Sequence, residues 1–457
     1  MAATTGLTPD PVRELRTSIR GNVFEPVDGE YDAARRLWNG MIDGRPSIIA
    51  RCSGTADVVS AIAFAREHAL PIAVRGGGHG VAGRATCDNG LVIDVSPMRG
   101  IRVDPAARTV RAQAGVLWGE LDRETQVFGL ATTGGAVSTT GIAGLTLAGG
   151  FGWLMRKHGM TIDNVASVDL VTADGTALTV SEDENADLFW GVRGAGANYG
   201  VVTSFEYRVH PVGPILLGGM VVHPLENAAA ALRFYREFSG AAPDEIGSYA
   251  GMLTTPDGMK VLALAAAYFG PVEEGERALL PLRSFGSPLA DLFAPTPYVA
   301  HQTIFDASFP FGRRDYEKST FIHALDDAAI DALIDHMERV PSPYSLIIIE
   351  HHGGAVRRVP EDATAFRHRA PEYNVTVPGA WEDPSADDEN IAWVRNVVHA
   401  LAPVSTGTYY ANYQADLDRD ERVEAAWGAN YERLAALKAA YDPQNVFRLN
   451  HNVTPAA

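Results

Sequence analysis

Three glycine clusters in the first 200 residues limit what this chain can fold into: 76–83 (GGGHGVAG), 134–152 (GGAVSTTGIAGLTLAGGFG) and 194–200 (GAGANYG). Glycine lets backbone N–H groups come close to a ligand and accepts positive φ. Consecutive inward-turned amides form a concave nest suited to pyrophosphate. A single cluster reads as a tight turn, but three in succession point to a cradle for a phosphate-bearing ligand. Residues 78–83 (GHGVAG) also match the G-x-G-x-x-G dinucleotide fingerprint after a strand. That fingerprint needs a helix whose N-terminus meets the phosphates. Here a loop (ATCDNG, 85–90) and another strand follow, which disfavours an NAD-linked Rossmann enzyme.

The segments around the clusters alternate between short strands and helices. Residues 47–51 (SIIAR) and 71–75 (PIAVR) read as strands, and Val58, Ile62, Ala65 and Ala69 share one helical face within 55–69. Further strands are predicted at 91–94, 101–103, 109–113 and 201–209, with a helix over 116–128. Residues 168–172 and 176–180 flank Ala173-Asp174-Gly175 and predict a hairpin. His210-Pro211-Val212-Gly213-Pro214 then breaks the pattern and marks a domain boundary. Beyond it come longer strands (259–269, 345–350) and helices (226–238, 326–339), the texture of an antiparallel sheet with helices on one face. A last helix is predicted over 422–440, before Tyr441-Asp442-Pro443.

Composition narrows the partners. At 457 residues the chain exceeds one ordinary core, which favours two domains. Its formal net charge of −18 argues against nucleic acid or an anionic membrane as partner, because phosphates repel such a surface. No run of roughly 18 apolar residues is present to span a membrane, and the N-terminus shows no secretory signal. Cys52 and Cys87 lie in no metal-ligand spacing and read as free thiols of a cytoplasmic protein.

Arg75-Gly76-Gly77-Gly78-His79-Gly80, the loop 138–152, the stretch 194–202 (GAGANYGVV) and the tail Tyr441-Asp442-Pro443 with 445–452 (NVFRLNHN) together resemble the berberine bridge enzyme-like branch of the vanillyl-alcohol-oxidase flavoprotein family. The resemblance runs in order along nearly the whole chain. It implies an α+β, two-domain FAD-binding fold with an antiparallel-sheet substrate domain. The FAD-binding domain is expected at 1–212, completed by about 409–457, and the substrate domain at 213–408.

By the same resemblance His79 takes the place of the histidine bonded to the flavin's 8α-methyl carbon. A neutral imidazole nitrogen is a fitting nucleophile. Some relatives add a second bond through cysteine in the next loop. Val137 stands there and cannot form it, so FAD is expected on His79 alone. Arg75, Gly76, Gly77, Gly78, Gly80 and Val81, with Ser138, Thr139, Gly141, Gly144, Gly149, Gly150 and Gly152, are expected around the cofactor. Val202 is expected near the adenine, and Asn412, Asn450 and Asn452 at the isoalloxazine edge, where turn capping is the simpler role for asparagine.

Oxidation by flavin requires hydride to leave a substrate carbon while a base takes a proton from the adjoining O–H or N–H. Tyr410-Ala411-Asn412-Tyr413 resembles a flavin-side stretch in which a tyrosine serves as base. On a regular strand Tyr410 and Tyr413 face opposite ways, which favours Tyr410. Glu350 ends the apolar strand SLIIIE and lies where the nicotine-oxidising branch carries a substrate-facing glutamate; the alternative is an exposed strand end. His351-His352 lacks a third ligand at metal spacing. Relatives also place an acid or glutamine where this chain has Thr376, which does no acid–base work. The expected reaction is oxidation of a small alcohol, amine or natural-product intermediate, with dioxygen reoxidising the flavin to give hydrogen peroxide. A dehydrogenase, or oxygenating and ring-forming chemistry, is the alternative.

Overall fold

The computed structural model describes residues 9–415 and 426–457. The first half builds two sheets around one core. In a four-stranded sheet Asn22–Phe24, Ile48–Arg51, Leu91–Asp94 and Ile72–Arg75 lie in that order, the last three parallel. Apart from one polar end residue each (Asn22, Arg51, Arg75, Asp94), these strands are apolar because both faces are buried. Ile48, Ala50, Leu91 and Ile93 belong to the core with Val58, Ile62 and Ala65 of the helix Thr55–Glu67. Ile49, Ala73 and Val92 pack with Tyr31 and Ala34 on the other side. The second sheet is antiparallel, in the order Ile101–Asp104, Thr109–Gln113, Gly200–Arg208, Val165–Thr172, Ala177–Ser181. Its last two strands form the predicted hairpin, turning at Gly175 with φ +87°.

The second half forms one large antiparallel sheet. Its order is Ala290–Asp291, Ile215–Pro224, Lys260–Tyr268, Ile246–Thr254, Ile347–His351, Tyr373–Trp381, Arg314–Ile322, with Ala294–Pro297 also on the Ile215 strand. Side chains alternate along each strand. Ile347, Ile349, Val375, Val377 and Tyr316 therefore enter an apolar core under the helices Ala228–Ala241, Asp327–Glu338 and Asp387–Ala400. Tyr249, Ile348, Glu350, Thr376 and Glu317 fall on the opposite face, toward the glycine loops. The fold is thus α+β, with an antiparallel sheet covered by helices on one side.

The chain's last segment returns to the first core. Leu434, Ala435 and Leu437 of the helix Tyr431–Tyr441 pack there. The fully buried Lys438 ammonium donates to Asp442 at 2.7 Å and to the carbonyls of Asn198 and Phe447 at 2.7 and 2.8 Å. Burying a charge is costly, and complete pairing of this kind offsets the cost.

Two local expectations change. Residues 409–413 form no regular strand: Ala411–Tyr413 is a 3-10 turn. Such a turn brings residues three apart onto one side, so Tyr410 and Tyr413 meet, with ring centroids 4.8 Å apart. The described C-terminal helix starts at Tyr431, after a separate 3-10 turn at Gly428–Asn430. Residues 422–425 of the predicted helix lie outside the described residues. Among the described residues no helix is long and apolar enough to cross a membrane.

Candidate active site

The open face of the large sheet, all three glycine clusters and the tail after Tyr409 enclose a cavity of about 350 Å³. That places it in the size range of small-molecule and cofactor sites. Gly76, Gly77, Gly78, Gly80, Val81, Val137, Gly141 and Gly144 line it. Gly77 and Gly141 bring the first two loops into direct contact. A Cβ on either would lie 2.6 Å from the other's backbone nitrogen, an approach open only to glycine. Gly78, at φ +67°, turns the chain so that His79 follows against the cavity.

Several residues expected around the cofactor lie off this lining. Arg75 and Thr139 line a smaller adjoining cavity with Asp306 and Phe309. Ser138 is engaged by Asp306, to which its amide and hydroxyl donate at 2.8 and 2.5 Å. Gly149 and Gly150 do not line the cavity; they shape the turn below it at φ +134° and +88°. Gly152 packs on the Gly134 carbonyl. Val202 is buried in the core beside the third cluster, and Asn452 also lies off the lining.

His79 is stacked on Trp38, with centroids 4.3 Å apart and planes 17° from parallel. Trp38 is itself held by its indole N–H to the Phe309 carbonyl at 3.1 Å and by its amide to the Gly78 carbonyl at 3.0 Å. Burial pushes the His79 imidazole down to about pKa 4, which keeps it neutral. Its Nε2 is buried and has no partner among the described residues. An orphaned buried nitrogen is costly unless something meets it. Cys52 is buried and Cys87 half-buried, both free, and neither lines the cavity.

The tail and the sheet complete the lining. The Tyr410 hydroxyl accepts from the Gly150 amide at 3.0 Å and from Asn412 Nδ2 at 2.9 Å. Burial against Phe151 still holds this phenol well above its ordinary pKa, since two neutral donors do not offset desolvation. The Tyr413 hydroxyl donates to Glu350 Oε1 at 3.1 Å, while Asn374 Nδ2 donates to Oε2 at 2.7 Å. Glu350 is therefore no exposed strand end; it is 4% exposed, and burial pushes its carboxyl up to about 7. Asn450 lines the cavity and donates to the carbonyls of Ala197 and Phe447 at 2.7 and 3.1 Å, a capping role, yet its Oδ1 has no described partner.

Among the lining residues that escape sequence reasoning are Trp38, Tyr249 and Glu317. Trp38 and Tyr249 belong to no motif. Glu317 had a signal, since Asp315 and Glu317 alternate along RDYEKSTFI and share one strand face. Thr376, the position expected to differ from an acid or glutamine in relatives, donates its hydroxyl to Glu317 Oε1 at 2.6 Å. An acid thus stands beside Thr376 on the neighbouring strand. Among the described residues no group of three or more His, Cys, Asp or Glu could hold a metal.

The donor set fits FAD. Closely approached glycine loops suit a diphosphate, and an apolar, aromatic-walled cavity with an orphaned imidazole nitrogen suits a tethered ring system. Comparison with known proteins agrees. Residues 46–181 match the model of an FAD binding domain, and residues 409–454 match the berberine and berberine-like family. An FAD-linked oxidoreductase of Dictyostelium discoideum is 35% identical over 453 residues, covering 97% of both chains. The (R)-6-hydroxynicotine oxidase of Paenarthrobacter nicotinovorans is 32% identical, covering 96% of this chain and 97% of its own. The crystal structure of 6-hydroxy-D-nicotine oxidase from Arthrobacter nicotinovorans superposes with a TM-score of 0.87 at 30% identity, covering 96% of this chain and 99% of that one. With relatives this similar matched end to end, the chain belongs to the FAD-linked oxidoreductases of the berberine bridge enzyme-like, vanillyl-alcohol-oxidase-type family.

Proposed function

We propose that this chain is an FAD-dependent oxidase that holds its flavin by one covalent bond to His79, oxidises a small organic substrate by hydride removal, and is reoxidised by dioxygen with release of hydrogen peroxide. The observation that carries the reading is the His79 Nε2: buried, neutral, without a described partner, and at the wall of a glycine-rich cavity. Val137 lines the same cavity and offers no second tether. We read the core built from residues 12–209 and the tail as the FAD-binding domain (1–212 with about 409–457) and the core under the large sheet as the substrate domain (213–408). Two free cysteines support a cytoplasmic setting.

Bound FAD would supply the two-electron acceptor that takes hydride from a substrate carbon. The chain's own groups do the rest. The Gly77–Gly141 contact and the amides of both loops cradle the diphosphate, and Trp38 fixes the His79 ring plane. Glu350, poised near neutrality, accepts the proton from the substrate's O–H or N–H. Tyr413 and Asn374 orient its two oxygens, and Tyr410 locks the tail to the Gly150 turn. Tyr410 is an unfavourable base, since its burial opposes ionisation.

Acid precipitation tests the tether: the pellet stays yellow if the bond exists, whereas a colourless pellet with flavin released to the supernatant overturns it. Purified protein lacking flavin altogether would overturn the wider reading. Anaerobic reduction followed by air tests the oxidant. Immediate return of colour with peroxide marks an oxidase, and persistent bleaching marks a dehydrogenase.

A further inference from the structure

The cavity roof carries two buried acids where the mechanism above uses one. Glu350 and Glu317 come from strands on either side of Tyr373–Trp381, and that central strand holds both: Asn374 donates to Glu350 at 2.7 Å and Thr376 to Glu317 at 2.6 Å. Asn374 and Thr376 are two residues apart on one strand face, so both carboxyl groups are turned to the same cavity, close enough that Glu350 acts on Glu317 through its charge. Both line the cavity and are almost fully buried, at 4% and 7% exposure.

Nothing on the described lining balances them. Arg84 is the permanent cation there, and it donates to the Asn450 carbonyl on the tail. Burial keeps His79 and His451 neutral, at about 4 and 3. The other titratable groups that act on the pair are acids and phenols: Asp315 on the Glu317 strand, Tyr249 directly across from Glu350, and Tyr410 and Tyr413 on the tail, while Arg313 acts on Asp315 and the buried Lys318 follows Glu317 on the opposite face of the strand. Tyr249 is 4% exposed, lines the cavity, and leaves its hydroxyl without a described partner. Phe305 adds a second aromatic wall, edge-on to Tyr249 at 5.8 Å. Two buried acids without a cation are costly, and aromatic faces beside them attract positive charge.

We infer that this cavity takes a cationic amine, seated between Glu317 and Glu350 and against the rings of Tyr249 and Phe305. The inference rests on the proposed oxidase reading and narrows its substrate class from alcohols, sugars and amines to amines. Burial raises the pKa of both acids, so the empty roof holds protons near neutrality that an incoming cation expels. Affinity for a fixed cation therefore rises with pH between 6 and 8.

The test uses the yellow holoprotein and benzyltrimethylammonium, a cation that has no nitrogen lone pair to support oxidation and no titration of its own. Binding is read by calorimetry and by perturbation of the flavin spectrum, beside the uncharged carbon isostere neopentylbenzene. Tighter binding of the cation by tenfold or more, rising with pH, is expected. Glu317→Gln and Glu350→Gln should each lower it roughly tenfold while leaving the isostere unchanged. Equal or tighter binding of the isostere, no binding of either, or a cation affinity indifferent to both substitutions overturns the amine assignment while the flavin reading stands. A thermal melt and flavin spectrum matching the parent exclude misfolding of the variants. A colourless protein overturns the reading beneath, and this inference with it.

Discussion

Tyr413 donates its hydroxyl hydrogen to Glu350 Oε1 at 3.1 Å, tying the C-terminal tail to the sheet that roofs the cavity. The bond joins residues 63 positions apart in the chain and gives the proposed base one of its two fixed donors. It stabilises the ionised carboxylate against the burial that raises its pKa.

Replacing Glu350 by Gln removes the proton acceptor and keeps the shape. Turnover is expected to fall about 100-fold or more, the usual contribution of a positioned base, with flavin content unchanged. In the parent enzyme only ionised Glu350 accepts a proton, so kcat/KM rises with pH through about 7 and levels above it. Steady-state rates from pH 5.5 to 9 check both points, and in Glu350→Gln that limb disappears.

Tyr413→Phe deletes one donor to Glu350 and leaves Asn374 in place. Losing a bond made to the charged form raises the carboxyl pKa. The activity limb therefore moves to higher pH, with recovery of rate at pH 9. A purely structural role for Tyr413 would lower the rate equally at every pH.

Gly141→Ala places a Cβ 2.6 Å from the Gly77 amide nitrogen. Backbone cannot yield as a flexible side chain does, so the loops separate and the diphosphate cradle opens. The variant is expected to purify with little flavin and a lowered melting temperature. Gly144→Ala, where no atom lies within 4 Å of the added Cβ, is the control for stability.

Lys438→Ala leaves the fully buried Asp442 without its cation. Removing one partner of such a pair costs about 3–5 kcal/mol. Because the same ammonium anchors Phe447 and Asn198, the tail that carries Asn450 loosens with it. Denaturant unfolding gives the energy, and protease sensitivity after Tyr441 reports the tail.

Asp122 is buried between the two halves, where Gln302 Nε2 donates to it at 3.0 Å, and burial pushes its carboxyl up to about 7. The folded pKa lies above the unfolded value of about 3.9, so between pH 4 and 7 the folded protein holds a proton the unfolded chain has lost. This group's contribution to stability falls as pH rises across that window and is constant beyond it. Asp122→Asn removes the dependence, and its amide can donate to the unpartnered Gln302 Oε1. Its melting temperature, compared with the parent's, gains from pH 5 to pH 8; a constant difference would refute the assignment.

Much of the first half was legible because its information is local. The hairpin about Asp174-Gly175, the short apolar strands and the glycine loops each follow from neighbouring residues, through turn chemistry, burial on both faces and absent side chains. His79 stood out because the glycine loop around it carries the family resemblance. The paired face of the large sheet was not legible, because Glu317, Thr376 and Glu350 meet through strand order and register, and no periodicity states which strands are neighbours. The turn at Ala411–Tyr413 likewise overrode the alternation expected of a strand and set Tyr410 and Tyr413 side by side. The amino-acid sequence alone thus determined the glycine cradle, the candidate tether at His79 and the absence of a cysteine beside it. Tertiary structure alone decided which acids share the roof, why Glu350 is poised near neutrality, and that Trp38 holds the His79 ring. Burial and charge proximity are properties of chain segments brought together, and those do not exist until the chain has folded.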